Sequence, residues 1–505
     1  MSELALTANR RGLLAGAGAG LALAAAPPAE AFGWRRRPGR SGGPDWGDLA
    51  RRLSGPLLLP TDPDFLLIAH PNNMRYVEHL PDAIARCRNA RDVQVALLWA
   101  QKAGVKIRPK SGGHSYAGYS APQGGLMIET TLMNEARYDA ATGVAWIGGG
   151  LRNSDVYRLL RANDRAITHG RCPTVGAAPF LLGGGIGFNM RQSGLACDQL
   201  VASQLVLASG EIVNLHRDAA DQRRKDLFWA VRGVGGGNLG LSTGFALQTF
   251  SVEGLNVTAF SLEWSRQPEK VAATLMAVLD KAPDTLGSRI SLSAVTPAQQ
   301  QAGQDVKVNI LGQIKDTPEA LARILAPVYA IAQPEKQVIK VLPYWEGQDF
   351  LHEDGWPTWY QERSAFVTRP FGPDALAEGF AHLRQWPGTC GYCDLRFFQT
   401  GGAINRVGRD DTAFVHRDSH WLMVVGLYWS QADNENAALM AANHRWQDDF
   451  YTAMRPLAGG GAYQNFPDPS LTDFKQAYYG GALDELTRIR KSVDPTEVFA
   501  FPQGV

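Results

Sequence analysis

An excess of charge of either sign is what this chain most plainly lacks: 50 Lys and Arg face 49 Asp and Glu over 505 residues, a net charge of +1. That balance removes the electrostatic reason to expect nucleic acid or an anionic membrane surface as a partner. Cysteine is scarce, five residues in all, and no second Cys or His pair stands at metal spacing, so no metal centre is expected. Cys390-Gly391-Tyr392-Cys393 precedes a strand-like run, Leu395 to Gln399, which argues against thioredoxin-type exchange. A local bridge, a redox pair and two unlinked thiols stay open for it, as does the pairing of Cys87 and Cys197. Beyond residue 26 there is no long apolar run, so no membrane anchor is expected after the N-terminus is removed. Repeats of 20 to 50 residues are missing, which sets solenoids and propellers aside. No Gly-x-Gly-x-x-Gly motif is joined to an acidic residue about twenty positions later, which disfavours a nicotinamide-binding Rossmann domain.

The N-terminus carries Asn9-Arg10-Arg11-Gly12-Leu13-Leu14, an apolar run to Ala26, and Ala29-Glu30-Ala31, with no acidic residue between Leu4 and Ala29. This pattern reads as a twin-arginine export signal cleaved after about Ala31, placing the mature chain in the periplasm or outside the cell. Residues 32–59 read as a flexible leader. The remainder, 45% hydrophobic and 20% charged overall, is long enough for two or more domains. Ala83 to Ala103 has helical periodicity, with Val93, Ala96, Leu97 and Ala100 on one face, and Val105 to Arg108 reads as a strand.

Three glycine-rich loops follow within about 130 residues, at Lys110-Ser111-Gly112-Gly113-His114-Ser115, at Leu182-Gly183-Gly184-Gly185-Ile186-Gly187 and at Gly233-Val234-Gly235-Gly236-Gly237. Such density is unsuited to helix interiors and points to backbone pressed against one extended ligand, its N–H groups offered to phosphates. Two nucleophiles stand in these surroundings, His114 and Cys172, the latter in Gly170-Arg171-Cys172-Pro173-Thr174-Val175-Gly176. An imidazole and a thiol can both add to an electron-poor isoalloxazine, so the pair reads as two covalent tethers for one flavin.

Lys110 to Tyr116, Gly170 to Phe188, Asp198 to Val213 and Trp229 to Phe245 resemble the FAD-binding domain of the vanillyl-alcohol-oxidase superfamily. Asn465-Phe466-Pro467-Asp468 through Pro502-Gln503 resembles the tail of the berberine-bridge-enzyme-like group. The resemblance implies an α+β fold. Its parts are a two-subdomain FAD-binding domain of the PCMH type over 60–252, a substrate domain with a large antiparallel sheet over 253–460, and a tail, 461–505, returning to the FAD domain. It implies FAD joined to His114 through the C8 methyl and to Cys172 at C6. Lys110, Ser111, Gly112, Gly113, Ser115, Thr174, Val175, Gly176, Gly183, Gly184, Gly185, Gly187 and Asn465 are implied as further cofactor contacts.

The chemistry expected of such a platform is hydride transfer from a carbinol while a base takes the hydroxyl proton. The resemblance implies that Tyr463, in Tyr463-Gln464-Asn465-Phe466, is that base, and that Tyr116 lines the active site. An unperturbed tyrosine titrates near pH 10, so a phenolate base needs a cation or hydrogen-bond donor beside it. Val175 holds the place where a small residue is associated with oxygen access, which favours an oxidase releasing hydrogen peroxide. A dehydrogenase serving a quinone or another periplasmic acceptor and a non-catalytic secreted flavoprotein remain alternatives. The small-molecule substrate is read as a saccharide or a secondary metabolite. Trp345, Trp356, Trp359, Tyr360, Trp421, Tyr428 and Trp429 offer aromatic faces or core packing for it. Alternation on the strand containing Phe397, Gln399 and Gly401 suggests that Arg363, Gln399 and Arg406 lie over the flavin.

Overall fold

A computed structural model describes residues 43–505; the expected export signal and residues 32–42 of the leader lie outside the described residues. Asn89 starts the first long helix, Ala90–Ala103, by accepting the Asp92 N–H on its side chain, and Gly104, at φ 66°, ends it. Val93, Ala96, Leu97 and Ala100 form its buried stripe, as the periodicity requires. Its start is later than expected: Ala83–Arg86 is strand β2, and the cap at Asn89 keeps the helix from extending back into it. β1 (Leu57–Leu58), β2, β3 (Ile107–Lys110) and β4 (Leu126–Glu129) make a sheet ordered β1-β2-β4-β3. Regular structure begins inside the segment expected to be leader. The helix Trp46–Arg52 sets Trp46 against Trp99 at 5.2 Å, Trp99 donates to Asp48, and β1 pairs with β2.

A second, antiparallel sheet is ordered β5-β6-β10-β8-β9. It comprises β5 (Ala136–Asp139), β6 (Val144–Gly148), β8 (Leu200–Val206), β9 (Ile212–His216) and β10 (Leu241–Gln248). The short β7 (Arg165–Ala166) pairs with β11 (Phe250–Ser251).

The third sheet has seven antiparallel strands ordered β15-β12-β14-β13-β17-β18-β16. These are β12 (Asn256–Trp264), β13 (Leu286–Ser293), β14 (Lys307–Ile314), β15 (Lys336–Pro343), β16 (Trp359–Val367), β17 (Cys393–Gln399) and β18 (Trp421–Trp429). Its two faces differ in chemistry, as expected for an antiparallel sheet covered by helices on one side. Phe260, Leu262, Trp264, Ile290, Ile310, Leu395 and Phe397 join one core with the helices Pro268–Asp280, Pro318–Tyr329, Pro373–Arg384 and Ala437–Ala458. The other face carries Arg289, Ser291, Tyr360, Glu362, Ser364, Asp394, Arg396 and Tyr428, brought together by the strand registers.

Residues 461–505 bind both halves. Arg363 Nε donates to Asp468 at 2.7 Å, Arg108 Nη1 to the Ala500 carbonyl at 2.8 Å, and Val505 N to Asn238 Oδ1 at 3.0 Å. Among the described residues no helix is long and apolar enough to cross a membrane. All five cysteines are free, Cys390 and Cys393 included.

Candidate active site

The loops after β3, around Cys172, before β10 and in the C-terminal segment converge on one elongated cavity of about 270 Å³. The third glycine loop is part of its lining. Gly235 and Gly237, at φ 83° and 78°, present backbone to space in which an added Cβ meets nothing closer than 3.6 Å. Ser120 and Ser242 line the same cavity, and their buried hydroxyls have no hydrogen-bond partner. A glycine cradle with unmatched hydroxyls beside it fits the phosphates and ribityl hydroxyls of a dinucleotide such as FAD.

The two nucleophiles line the same cavity. His114 Nε2 lies 2.9 Å from Thr174 Oγ1, whose hydroxyl donates to the Gly355 carbonyl at 3.3 Å. With that proton spent on Gly355, Thr174 accepts from Nε2–H, which leaves the lone pair on Nδ1. Burial holds the imidazole down at about 4, and Arg152 and Lys110 add to the effect, so His114 is a neutral nucleophile at pH 7. Burial likewise pushes the Cys172 thiol up to about 11, with Arg171 opposing. A Cβ on Gly355 would stand 3.3 Å from Cys172 Cβ and 3.6 Å from His114 Cε1, so both tether candidates border one point. The loop carrying Gly355 is held there by Asn72 Nδ2, which donates to Gly355 O at 2.9 Å, and by Arg171, which pairs with Glu353 at 2.6 Å. Burial works against a charged Glu353, yet Arg171, Arg289 and Arg396 bring its carboxyl down to about 2.

The remaining expected contacts divide into two groups. Ser111, Gly113, Ser115, Val175 and Asn465 line the cavity with His114, Cys172, Tyr116 and Tyr463. Lys110 lines it too, but its ammonium is held by the carbonyls of Ala69 and His70 at 3.1 and 2.7 Å and by that of Ile68. The lysine therefore ties β3 to the C-terminal end of the helix Phe65–Ala69. Gly112, Thr174, Gly176, Gly183, Gly184, Gly185 and Gly187 stand behind the lining. A Cβ on Gly112 would meet Gly176 N at 2.3 Å, one on Gly183 would meet Asn465 Oδ1 at 2.0 Å, and one on Gly187 would meet the His169 carbonyl at 2.1 Å. Their glycines are required by close approach of protein to protein.

Tyr463 is fully buried, and its phenol oxygen accepts from Gly185 N at 2.9 Å and Asn465 Nδ2 at 3.1 Å. Burial raises its pKa, and the two donors oppose that shift by favouring the phenolate. Tyr116 stacks on Phe466 at 4.7 Å and meets Tyr360 edge-on at 5.1 Å. The alternation expected for β17 is out of phase. Gln399 donates to the Leu279 carbonyl on the helical side, Arg363 pairs with Asp448 and Asp468, and exposed Arg406 pairs with Asp284. Arg396 and Asp394 are the β17 residues on the polar face of the sheet, and the C-terminal Phe499, Phe501 and Gln503 also line the cavity. Residues this far apart in sequence leave no local mark of their meeting.

A dinucleotide cavity lined from two small sheets and a returning tail, with a large antiparallel sheet meeting its wall at Tyr116, defines a flavoprotein oxidoreductase of the PCMH type. Family models agree: residues 81–216 match an FAD-binding domain and 462–505 match the berberine and berberine-like segment. The chain is 30% identical to glucooligosaccharide oxidase of Sarocladium strictum, covering 85% of this chain and 87% of that one. It is 29% identical to xylooligosaccharide oxidase of Thermothelomyces thermophilus, covering 86% and 89%. Among solved structures, Physcomitrella patens BBE-like 1 superposes with a TM-score of 0.81 at 25% identity, over 91% of this chain and 98% of that one. The chain belongs to the berberine-bridge-enzyme-like FAD-linked oxidases and is an FAD-linked oxidoreductase of CH–OH groups.

Proposed function

We propose that the protein is an exported oxidase that binds FAD through both His114 and Cys172, oxidises a saccharide carbinol and returns the electrons to dioxygen as hydrogen peroxide. The observation that carries the bicovalent reading is the meeting of the two nucleophiles at Gly355, with His114 neutral and its Nδ1 lone pair free. FAD bound there supplies a two-electron acceptor for hydride. The chain's own residues do the rest: 60–252 and 461–505 hold the cofactor, and 253–460 presents the polar sheet face to substrate. Tyr463 takes the substrate's hydroxyl proton, its phenolate favoured by the two hydrogen bonds its oxygen accepts from Gly185 N and Asn465 Nδ2. Tyr116 forms the side wall against which a ring lies.

The saccharide clause is supported by the oligosaccharide oxidases among the relatives. Dioxygen as acceptor is supported by Val175 in the cavity lining, and export by Arg10-Arg11 and the run behind them. The deciding experiment is a visible spectrum before and after acid precipitation, with intact mass, followed by peroxide release on a sugar panel. Yellow colour retained in the pellet and a mass increased by one FAD are the expected result. Flavin in the supernatant removes the tethers. Steady turnover with dyes but little oxygen uptake selects a dehydrogenase.

A further inference from the structure

The loop 352–358, which joins the helix Tyr344–Leu351 to β16, lies across the cysteine segment and is fastened to it at two points. Glu353 N donates to the Arg171 carbonyl at 3.0 Å, and two residues on the Gly355 carbonyl accepts from Thr174 and Asn72. That fastening puts beside Cys172 a carboxylate that neither substrate oxidation nor cofactor binding uses. Glu353 Oε1 accepts from Arg171 Nη1 at 2.6 Å and from Arg289 Nη1. With Oε1 clamped by two guanidinium groups, Oε2 is turned to sulfur, and the Cys172 thiol donates to it at 4.0 Å. The Glu353 side chain is 30% exposed, so a proton placed there can leave to water.

A cysteinyl link needs somewhere for the thiol proton to go. Burial sets Cys172 at about 11, so no thiolate stands ready. His114 does not take the proton, since its Nε2–H is given to Thr174 and Nδ1 is the atom left for its own bond. Tyr157 spends its hydroxyl on the Gly170 carbonyl, burial raises its phenol and that of Tyr116, and the arginines have no acceptor. Burial opposes the charge on Glu353, yet Arg171, Arg289 and Arg396 hold its carboxyl at about 2, so it is ionised throughout. Such a carboxylate is a weak base toward a resting thiol. The sulfur becomes far more acidic as it closes on carbon, however, so transfer and attack draw each other forward.

We propose that Glu353 is a catalytic residue of the protein's own maturation: its Oε2 takes the Cys172 thiol proton so that sulfur bonds to flavin C6, with Arg171 and Arg289 as positioning residues that fix Oε1. This rests on the bicovalent reading above. The S–H bond breaks toward Oε2, and the sulfur electron pair forms the S–C bond. The carbon sheds its hydrogen as a proton, and the two electrons that the addition leaves on the ring pass to dioxygen. Thiol, ring C–H and dioxygen thus give thioether and hydrogen peroxide, one hydrogen of the peroxide balancing that lost from sulfur and the other that lost from carbon.

The test uses the full-length chain carrying His114→Ala, in which Cys172 offers the single tether, with Glu353 intact or replaced by Gln. Each protein is held in air with added FAD and then denatured, and the fraction of chains heavier by one FAD is read by intact mass. Total flavin before denaturation should match, while the covalent fraction should fall about tenfold or more with Glu353→Gln. A fraction within about threefold of the parent, or a higher one because Arg171 freed from Glu353 stabilises a thiolate unaided, overturns the proposal and leaves the tether standing. If the His114→Ala parent itself gains no mass, the cysteinyl tether is gone and Glu353 with it. Should Glu353→Gln fail to fold or to hold FAD, Glu353→Asp keeps the charge but draws the oxygen back by one methylene. A several-fold drop is then expected, and an unchanged fraction overturns the proposal. Formate, given to His114→Ala/Glu353→Ala in place of equal chloride, should raise the covalent fraction several-fold. Equal fractions in the two salts would assign Glu353 to holding Arg171 and overturn its part in proton transfer.

Discussion

His114 and Cys172 make chemically separable predictions because the structure gives them different protonation problems. The imidazole is ready as it stands, its Nε2–H given to Thr174 and its pKa held at about 4, whereas the thiol, pushed up to about 11, needs to lose a proton before it attacks. His114→Ala and Cys172→Ala should each leave one covalent link, and the double substitution should release all flavin on denaturation, read by intact mass. Thr174→Val removes the acceptor that fixes the His114 tautomer and should lower the fraction of histidyl-linked flavin several-fold in the Cys172→Ala background, where that link stands alone. His114 and Cys172 could be picked out in the sequence as neighbours in one site because their glycine and proline flanks are local. The burial of Glu362 was not legible there: nothing local in Tyr360-Gln361-Glu362-Arg363 marks it, and only the pairing of β16 and β17 with β18 sets it beside Asp394 and Arg396.

The glycine loops show how an element can be recognised while the surface each of its Cα positions approaches stays unread. Glycine density marks close approach, but sequence does not say whether the approaching surface is cofactor or protein. Gly235 and Gly237 face the cavity, whereas Gly112 and Gly187 face backbone at 2.3 and 2.1 Å from where a Cβ would be. Gly187→Ala should therefore destabilise the fold by about 1–3 kcal/mol or more in urea melts. Gly236→Ala, whose Cβ would find its nearest atom at 3.5 Å, should leave the melt nearly unchanged and weaken flavin retention instead. Strand phase failed for a related reason. Leu395-Arg396-Phe397-Phe398-Gln399 carries apolar side chains on both faces, so alternation alone does not choose which face meets the helices. The elements are locked across the chain by Arg363 and Asp468, whose side chains are 7% and 3% exposed. Arg363→Ala leaves that carboxylate buried without its cation and should cost about 3–5 kcal/mol. Restoration of most of that loss by adding Asp468→Asn would identify the pair, not the packing, as its source.

At the scale of the whole molecule, burial decides how stability responds to acid. His169 and His416 are enclosed, the first with Nε2 on the Tyr344 hydroxyl and the second stacked on Phe366 with its Nε2 unpartnered. Burial lowers their pKa values to about 4 and about 3, whereas the unfolded chain takes up those protons near pH 6.5. Between those limits the unfolded state binds more protons, so both contributions are complete above pH 6.5 and shrink as the pH falls toward 4. Asp394 acts in the opposite sense, since burial, opposed by Arg396, leaves its carboxyl at about 6. The folded state then holds a proton that the unfolded state has released, a contribution lost as pH rises through 6. Two histidines outweigh one aspartate, and Glu353, down at about 2, extends the loss of stability to still lower pH. The thermal midpoint of the flavin-loaded protein should therefore rise from pH 4.5 to pH 6.5. His416→Gln should flatten that rise, and Asp394→Asn should steepen it between pH 5 and 6.5. A midpoint that falls over this interval in the wild type would mean that protons are taken up on folding, which two buried neutral imidazoles do not permit.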